Sequence, residues 1–574
     1  MEKVWLKHYD PGVPATIEYP QITLHQMLEE TTRRFPENTA IIFPGALGDT
    51  YRLNYSNLNE QVNRLANALI DLGVKKGDRV ALLLPNCPQF VISYYAVLKA
   101  GGIVVAFNPL YSPREIEHQI NDCGAKTIIV LSLFYRTVAE VRERTGLTNV
   151  IVTNIKEYLP PISRLLFTIF KERKEGHRAD TKGAAGTHSF PALLAKSPPT
   201  APLVAVDQNE VAMYQYTGGT TGISKGAMIV HRGILANTCQ MRAWATPLKK
   251  EDGEGLIIMG VMPFFHVYGV IVVMHFTVLT GQTMLLLPRF ITRQVLKAIN
   301  KYSPYFFPGV PTMYVAINNH PQVGKYNLRS IEACVSGAAP LPLEVQQKFE
   351  ELTGGKLVEG YGLTESAVVT HCNPIFGMRK TGSIGVPYPD VEARIMDVET
   401  GEKEMPVGEV GELVIRAPQV MKGYWNRPEE TATVLRDGWL YTGDLARVDQ
   451  DGFFSIVDRK KEMIIAGGYN IYPRDVEEVL YEHEKIKECV CYGVADAYRG
   501  ETVKVCIVLK EGQTATSAEI TEYCRTKLAR FKVPKLVEFR TELPKSSIGK
   551  VLRRVLVEEE KAKARLESDN AQVS

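Results

Sequence analysis

Tyr216-Thr217-Gly218-Gly219-Thr220-Thr221-Gly222-Ile223-Ser224-Lys225-Gly226 is the stretch on which the reading of this chain turns. Glycines let a backbone approach a ligand closely, and successive N–H groups form a concavity that suits an anion. Thr217, Thr220, Thr221 and Ser224 add hydroxyl donors, and Lys225 adds a charge. By chemistry this is a phosphate-cradling loop. It is not a Walker A loop, because Gly-x4-Gly-Lys-Ser/Thr is absent, and Gly549-Lys550 followed by Val551 fails the same test.

Upstream of the loop, residues 50–135 alternate helical and strand patterns. Leu58–Leu72 reads as a helix ending at Gly73, Arg79–Leu84 as a strand, Gln89–Lys99 as a helix and Ile103–Phe107 as a strand. Ser112-Pro113-Arg114-Glu115 is a capping box with Pro at the first helical position. That helix runs to Gly124, and Lys126–Leu131 is the next strand. Such alternation predicts an α/β fold with a mostly parallel sheet covered on both faces.

Residues 156–200 interrupt the pattern and read as an insert. Within it Ile162, Leu165, Leu166, Ile169 and Phe170 fall at helical spacing, with basic residues around them. Two readings stand: a surface helix packed on its own domain, or a peripheral membrane contact through 162–174. The α/β pattern resumes over 201–455. After the charged run Arg459-Lys460-Lys461-Glu462 the texture becomes a smaller α+β unit, with helices over Arg474–His483 and Ser517–Leu528. Its strands are expected at Glu488–Gly493, Val503–Leu509 and Lys535–Glu538. The expected domains are 1–458 and 459–574, with the last 20 residues a solvated tail.

Composition narrows the function. A net charge of +3 on 574 residues makes no nucleic-acid binder of the whole protein. Nine scattered cysteines without a CxxC point to a reducing, cytoplasmic setting rather than a disulfide or zinc framework. No signal core opens the chain. The uncharged run from Gly255 to Pro288 is broken by Pro263, His266, Gly269, His275 and Gly281, so buried core elements are the better reading than a span.

The loop resembles the phosphate loop of the acyl-adenylate-forming enzymes, and four further segments match that family in order. Tyr361-Gly362-Leu363-Thr364-Glu365-Ser366 resembles the adenine- and magnesium-binding motif, and Tyr441-Thr442-Gly443-Asp444 the ribose-binding motif. Asp458-Arg459-Lys460-Lys461 with Gly467-Gly468-Tyr469-Asn470 resembles the hinge and the loop after it. Pro544-Lys545-Ser546-Ser547-Ile548-Gly549-Lys550 resembles the C-terminal catalytic lysine motif. The resemblance extends from about Leu24 to Arg554.

The resemblance implies a large N-terminal adenylate-forming domain, with mixed sheets, flanking helices and a small β subdomain, and a small mobile C-terminal domain. It implies Lys550, Thr364, Glu365 and His266 as catalytic residues. Thr217, Gly218, Gly219, Thr220, Thr221, Gly222, Lys225, Gly337, Ala338, Ala339, Gly360, Tyr361, Gly362, Asp444 and Arg459 would bind ATP and AMP. Thr220 and Glu365 would hold Mg²⁺. Tyr268, Gly269 and Val310 would line the acid pocket. Lys461 would be the hinge, and Gly467 and Gly468 the coenzyme A loop.

Residue chemistry agrees with several of these roles. Glu365 is a hard oxygen ligand, Asp444 an acceptor for ribose hydroxyls and Arg459 a fork for ribose or phosphate oxygens. His266 reads equally as a core histidine. No fixed Asp is present to pair an amino group, and the surroundings of His266 are apolar, which suits an alkyl chain. The 156–182 segment is similar to one that long-chain fatty acid synthetases carry. The expectation is therefore an ATP- and Mg²⁺-dependent long-chain fatty acid–CoA ligase, with fatty acid, ATP and coenzyme A as its small-molecule substrates. A medium-chain or aryl (coumarate-like) CoA ligase, a luciferase-like oxygenase and a catalytically lost fatty-acid acceptor are the alternatives. A homodimer and a place at the inner face of a membrane are left open.

Overall fold

The structure is a computed structural model that describes residues 3–45, 47–181, 183–217, 224–466, 469–496, 500–545 and 551–573. The chain divides into two compact units, one of Trp5–Glu392 with Arg416–Leu440, the other of Met1–Val4, Ala393–Ile415 and Tyr441–Ser574.

The larger unit is built on an eight-stranded sheet in the order Gly423–Tyr424, Lys225–Val230, Val211–Thr217, Ile103–Ala106, Arg79–Leu83, Thr127–Leu131, Asn149–Thr153, Thr187–Ser189. From Val211–Thr217 to Thr187–Ser189 every pairing is parallel. The two strands beyond Val211–Thr217 run antiparallel. Parallel strands need covered faces, and their sequences are accordingly almost continuously apolar. Helix Pro88–Lys99 is buried along its whole length. Even Lys99 is inside, its ammonium held by Glu29 at 2.8 Å and Asn63 at 2.6 Å. The capping box forms as expected: Ser112 N–H donates to Glu115, the Ser112 hydroxyl oxygen accepts from Glu115 N–H, and the helix stops at Gly124 with φ +66°.

Two further four-stranded sheets complete this unit: Ile257–Gly260, Thr283–Leu286, Thr39–Pro44, Thr50–Asn54, and Ala333–Ser336, Lys356–Gly362, Val369–Cys372, Val386–Pro387. Parallel bridges Ile258↔Phe306, Phe306↔Ala333 and Gly309↔Ser336 stitch them together. The uncharged run 255–288 is a buried strand, a wide helical turn Tyr268–His275 continued by Phe276–Leu279, and a second buried strand. No helix among the described residues is long and apolar enough to cross a membrane.

The expected insert 156–200 is shorter than its composition suggested. Thr187–Ser189 forms the edge strand of the main sheet, and Phe190–Lys196 is a helix packed on Tyr55–Asp71 with Phe190 buried. Three polar residues on a sheet edge carry no period-2 signal, so the sequence hides them.

The smaller unit has one sheet in the order Glu392–Met396, Gly411–Arg416, Trp439–Val448, with Phe454–Arg459 also paired to Trp439–Val448. A second sheet runs Tyr469–Ile471, Ile464–Ala466, Gly500–Leu509, Ile486–Asp496, with Leu536–Phe539 beside Gly500–Leu509. Helices Pro473–Tyr481, Ser517–Lys527 and Arg553–Val573 accompany it. A single cut at 458 does not describe these units. Asp444 pairs with Arg459, and Lys460 N–H donates to the Gly443 carbonyl, so the hydrogen-bonded ladder groups 441–458 with the chain that follows. The terminal helix is also no solvated tail at its start. Leu556 is fully buried, and Glu559 and Glu560 pair with Arg540 and Lys504.

Candidate active site

Strands Val211–Thr217 and Lys225–Val230 form a hairpin closed by the pair Thr217↔Lys225, with the Ser224 hydroxyl donating to the Thr217 carbonyl at 2.7 Å. Gly218, Gly219, Thr220, Thr221 and Gly222 lie outside the described residues. The hairpin around them is braced from several sides. The Tyr216 hydroxyl donates to Asp122 at 2.5 Å, and Trp425 donates its ring N–H to the Asp122 carbonyl and its backbone N–H to Gly226. The Lys225 ammonium pairs with Glu430 and stands 5.4 Å from the Tyr424 ring centroid.

Strand Lys225–Val230 touches the turn Thr364–Ser366, which follows strand Lys356–Gly362. The chain is so tight here that a Cβ on Gly362 would lie 1.3 Å from the Val368 carbonyl oxygen. Only glycine fits that approach. Glu365 accepts a hydrogen bond on Oε1 from the Tyr424 hydroxyl at 2.7 Å, and its carbonyl accepts the Met421 N–H at 2.7 Å. A carboxylate offers about four acceptor positions, so one donor leaves capacity for a cation. No group of three metal-ligating side chains occurs among the described residues. Glu365 is a carboxylate of the kind that holds Mg²⁺ together with substrate phosphates and water.

A second cluster surrounds Tyr268. A Cβ on Gly269 would meet the Pro263 carbonyl oxygen at 2.2 Å, so Gly269 lets this turn close. Within it the Tyr268 N–H donates to His266 Nδ1 at 3.2 Å. That bond assigns the proton of a neutral His266 ring to Nε2. The Tyr268 hydroxyl donates to the Val335 carbonyl at 2.6 Å and approaches the Gly309 carbonyl at 3.2 Å. Burial pushes its pKa well above the ordinary value, so it is a neutral donor.

Gly337 and Gly360 complete the cluster. A Cβ on Gly337 would touch the Tyr268 ring at 3.5 Å, and one on Gly360 would touch Val335 at 3.0 Å. Val310 is buried before helix Pro311–Asn318, and Ala338 adopts φ +69°, unusual for a residue with a side chain. Ala338 and Ala339 are exposed in the bend that follows. Beyond Val335 opens an apolar cavity lined by Trp244, Val272, Phe276, Phe306, Val335 and Ile375 among others.

In the smaller unit, the hairpin register places Asp444 opposite Arg459, with Arg459 Nε 3.1 Å from Asp444 Oδ1. Gly443, at φ +72°, donates its N–H to Glu412, and Lys460 pairs with Glu412 at 2.9 Å. Lys461 is exposed just after this hairpin. Gly467, Gly468 and Lys550 lie outside the described residues. The chain flanking Lys550 is held by the bridge Lys545↔Val551 and by Leu552 N–H on the Pro544 carbonyl. Arg553 pairs with Glu477 at 2.7 Å and with Glu462.

The sequence reading missed Tyr424, Asp122 and Glu412, which orient residues it did name. Gly423-Tyr424-Trp425 followed by Pro428-Glu429-Glu430 was the available signal for the first.

Comparison with known proteins bears on the whole chain. The family model described as AMP-binding enzyme matches residues 28–425, and that of the AMP-binding enzyme C-terminal domain matches residues 475–550. A long-chain-fatty-acid–CoA ligase of Bacillus subtilis (strain 168) is 48% identical over 562 residues, covering 97% of this chain and 98% of that protein. A long-chain-fatty-acid–CoA ligase of Escherichia coli O6:H1 is 37% identical, covering 98% of this chain and 99% of the relative. The crystal structure of ATP-bound MatB from Rhodopseudomonas palustris superposes with a TM-score of 0.80 at 28% identity, covering 94% of this chain and 99% of that one. The chain belongs to the AMP-binding enzyme family.

Proposed function

We propose that this protein joins a long-chain fatty acid to coenzyme A at the expense of ATP, through an acyl-AMP intermediate. The observation that carries the proposal is the likeness of nearly the whole chain, at 48% identity, to a protein named as a long-chain-fatty-acid–CoA ligase. The small apolar cavity beside Val335, the residue whose carbonyl anchors Tyr268, agrees with an apolar substrate. Burying an alkyl chain among apolar side chains gains about 0.8 kcal/mol per CH₂.

In the first half-reaction a carboxylate oxygen attacks the α-phosphorus of ATP and pyrophosphate leaves. Both partners are anions, so charge neutralisation is the main task. Backbone N–H groups and hydroxyls of Thr217, Gly218, Gly219, Thr220, Thr221 and Gly222, with Lys225, would hold the phosphates. Thr220 and Glu365 would hold Mg²⁺, which when bound supplies positive charge to the phosphate oxygens, and Thr364 would donate to a phosphate. Lys550 would offset the charge of the attacking carboxylate. His266, with its proton on Nε2, would donate to an oxygen of the acid or adenylate. Gly337, Ala338, Ala339, Gly360, Tyr361 and Gly362 would border the adenine and acyl phosphate. Asp444 would accept from the ribose hydroxyls and Arg459 would donate to ribose or phosphate.

In the second half-reaction the coenzyme A thiol, losing its proton, attacks the acyl carbonyl and AMP leaves. Rotation about Lys461, with the Gly467-Gly468 loop taking the place of Lys550, would serve this step. Incubation with ATP, Mg²⁺, palmitate and coenzyme A should give palmitoyl-CoA, AMP and pyrophosphate by mass spectrometry. A product formed only from an aryl acid would overturn the substrate assignment.

We also propose that 162–174 rests on a membrane surface, at the cytoplasmic face. Ile162, Leu165, Ile169 and Phe170 are 63%, 59%, 61% and 66% exposed, while the polar Ser163 is buried against Asp49. The apolar stripe therefore faces outward. Arg164, Lys171, Arg173 and Lys174 are exposed around it. Fully burying such side chains yields about 1.5–3 kcal/mol each, enough for reversible attachment.

A further inference from the structure

We infer that Tyr424 is a positioning residue that orients the Glu365 carboxylate for Mg²⁺ and, through its ring, supports Lys225 at the end of the phosphate loop. The inference rests on the proposed role of Glu365 as a metal ligand.

Tyr424 stands where two pieces of the nucleotide machinery meet. Its hydroxyl donates to Glu365 Oε1 at 2.7 Å, and its ring lies 5.4 Å from the Lys225 ammonium. Its own position is fixed by backbone. The strand Gly423–Tyr424 pairs with Met228 and Ala227, the Tyr424 N–H donates to Thr431 Oγ1 at 2.9 Å, and Met421 N–H holds the Glu365 carbonyl. The side chain is 8% exposed, so its hydroxyl has little access to competing water.

The chemistry of a phenol suits this role. A glutamate side chain rotates about three torsions, and one hydrogen bond to Oε1 selects the carboxylate plane. A phenol hydroxyl carries one proton to donate and no charge of its own, so it fixes the carboxylate without neutralising it. An arginine or lysine in its place would neutralise the carboxylate and weaken it as a hard ligand. The ring face meanwhile attracts the Lys225 ammonium. Hydroxyl and ring thus serve separable tasks, one toward the metal and one toward the phosphates.

The test uses the full chain, Mn²⁺ as a paramagnetic probe and a non-hydrolysable ATP analogue, with bound Mn²⁺ read by electron paramagnetic resonance. Losing a hydrogen bond to a charged group predicts that Tyr424→Phe weakens Mn²⁺ binding about tenfold. Analogue binding without metal should stay at the parent value. Tyr424→Leu should add a loss of metal-free analogue binding, because the ring is gone too. In a Glu365→Gln background Tyr424→Phe should add nothing. Parent-like Mn²⁺ binding by Tyr424→Phe, with Glu365→Gln impaired, overturns the inference while sparing the role of Glu365. Parent-like Mn²⁺ binding by Glu365→Gln itself overturns that role and the inference with it. Equal loss of metal-free and metal-dependent binding in Tyr424→Phe would reduce the contact to a structural tie and also overturn it.

Discussion

The Tyr268 hydroxyl donates a 2.6 Å hydrogen bond to the Val335 carbonyl, and Val335 lines the apolar cavity behind it. The turn that carries His266 is thereby fastened to the strand end that precedes Ser336-Gly337.

Tyr268→Phe removes that fastening without changing volume. Losing one such bond costs about 1 kcal/mol, which predicts a KM for the fatty acid raised about fivefold, with the KM for ATP unchanged. Gly269→Ala should be far worse, because its Cβ would lie 2.2 Å from the Pro263 carbonyl oxygen. Steady-state kinetics with each substrate varied separately checks both. A change confined to ATP would contradict the assignment of this turn to the acid.

Lys550→Ala should divide the reaction. If Lys550 supplies the charge that neutralises the attacking carboxylate, pyrophosphate release from ATP and fatty acid should fall by about a hundredfold or more. Conversion of supplied acyl-AMP and coenzyme A to thioester should persist. Equal loss of both steps would count against this role.

Leu165→Asp combined with Ile169→Asp should abolish co-sedimentation with anionic vesicles at low salt. Turnover of a micellar or short-chain acid should remain. Raising the salt should weaken binding of the parent protein, because the basic residues around the stripe act through screened charge. Indifference of the parent protein to anionic vesicles would contradict the proposed surface.

Buried imidazoles predict the response of folding to acid. Burial holds His231, His275 and His371 down to about 3, against 6.5 for the free side chain. The unfolded chain therefore takes up protons that the folded chain refuses between those values. The associated stability is fully present above pH 6.5 and is lost as the pH falls toward 3. Each imidazole contributes up to about 1.4 kcal/mol per pH unit in that window. Melting of the larger unit followed by calorimetry should fall steadily below pH 6.5, and His275→Gln should flatten the decline. A melting temperature independent of pH across this range would contradict the burial of these rings.

Features encoded by neighbouring residues are legible in the sequence. The Ser112–Glu115 capping box and the Gly124 stop need only a short stretch of chain, and both form as read. Tyr424 escapes such a reading because its partner Glu365 lies 59 residues away, and only a two-residue strand brings them together. The stripe Ile162–Phe170 is visible, but a helical wheel is the same whether the stripe turns inward or outward. The Ser163–Asp49 contact, 114 residues apart in sequence, decides it. Asp444 and Arg459 are each named by resemblance to a family. Their pairing is a product of hairpin register, which alternating side chains alone do not specify.

Pyrophosphate release with ATP and Mg²⁺ across acetate, octanoate, palmitate, oleate, coumarate and benzoate, with and without coenzyme A, tests the substrate assignment. A maximum of kcat/KM at palmitate or oleate, with acyl-CoA as product, is the predicted result. A maximum at coumarate or octanoate would leave the family and the chemistry in place and contradict the long-chain assignment.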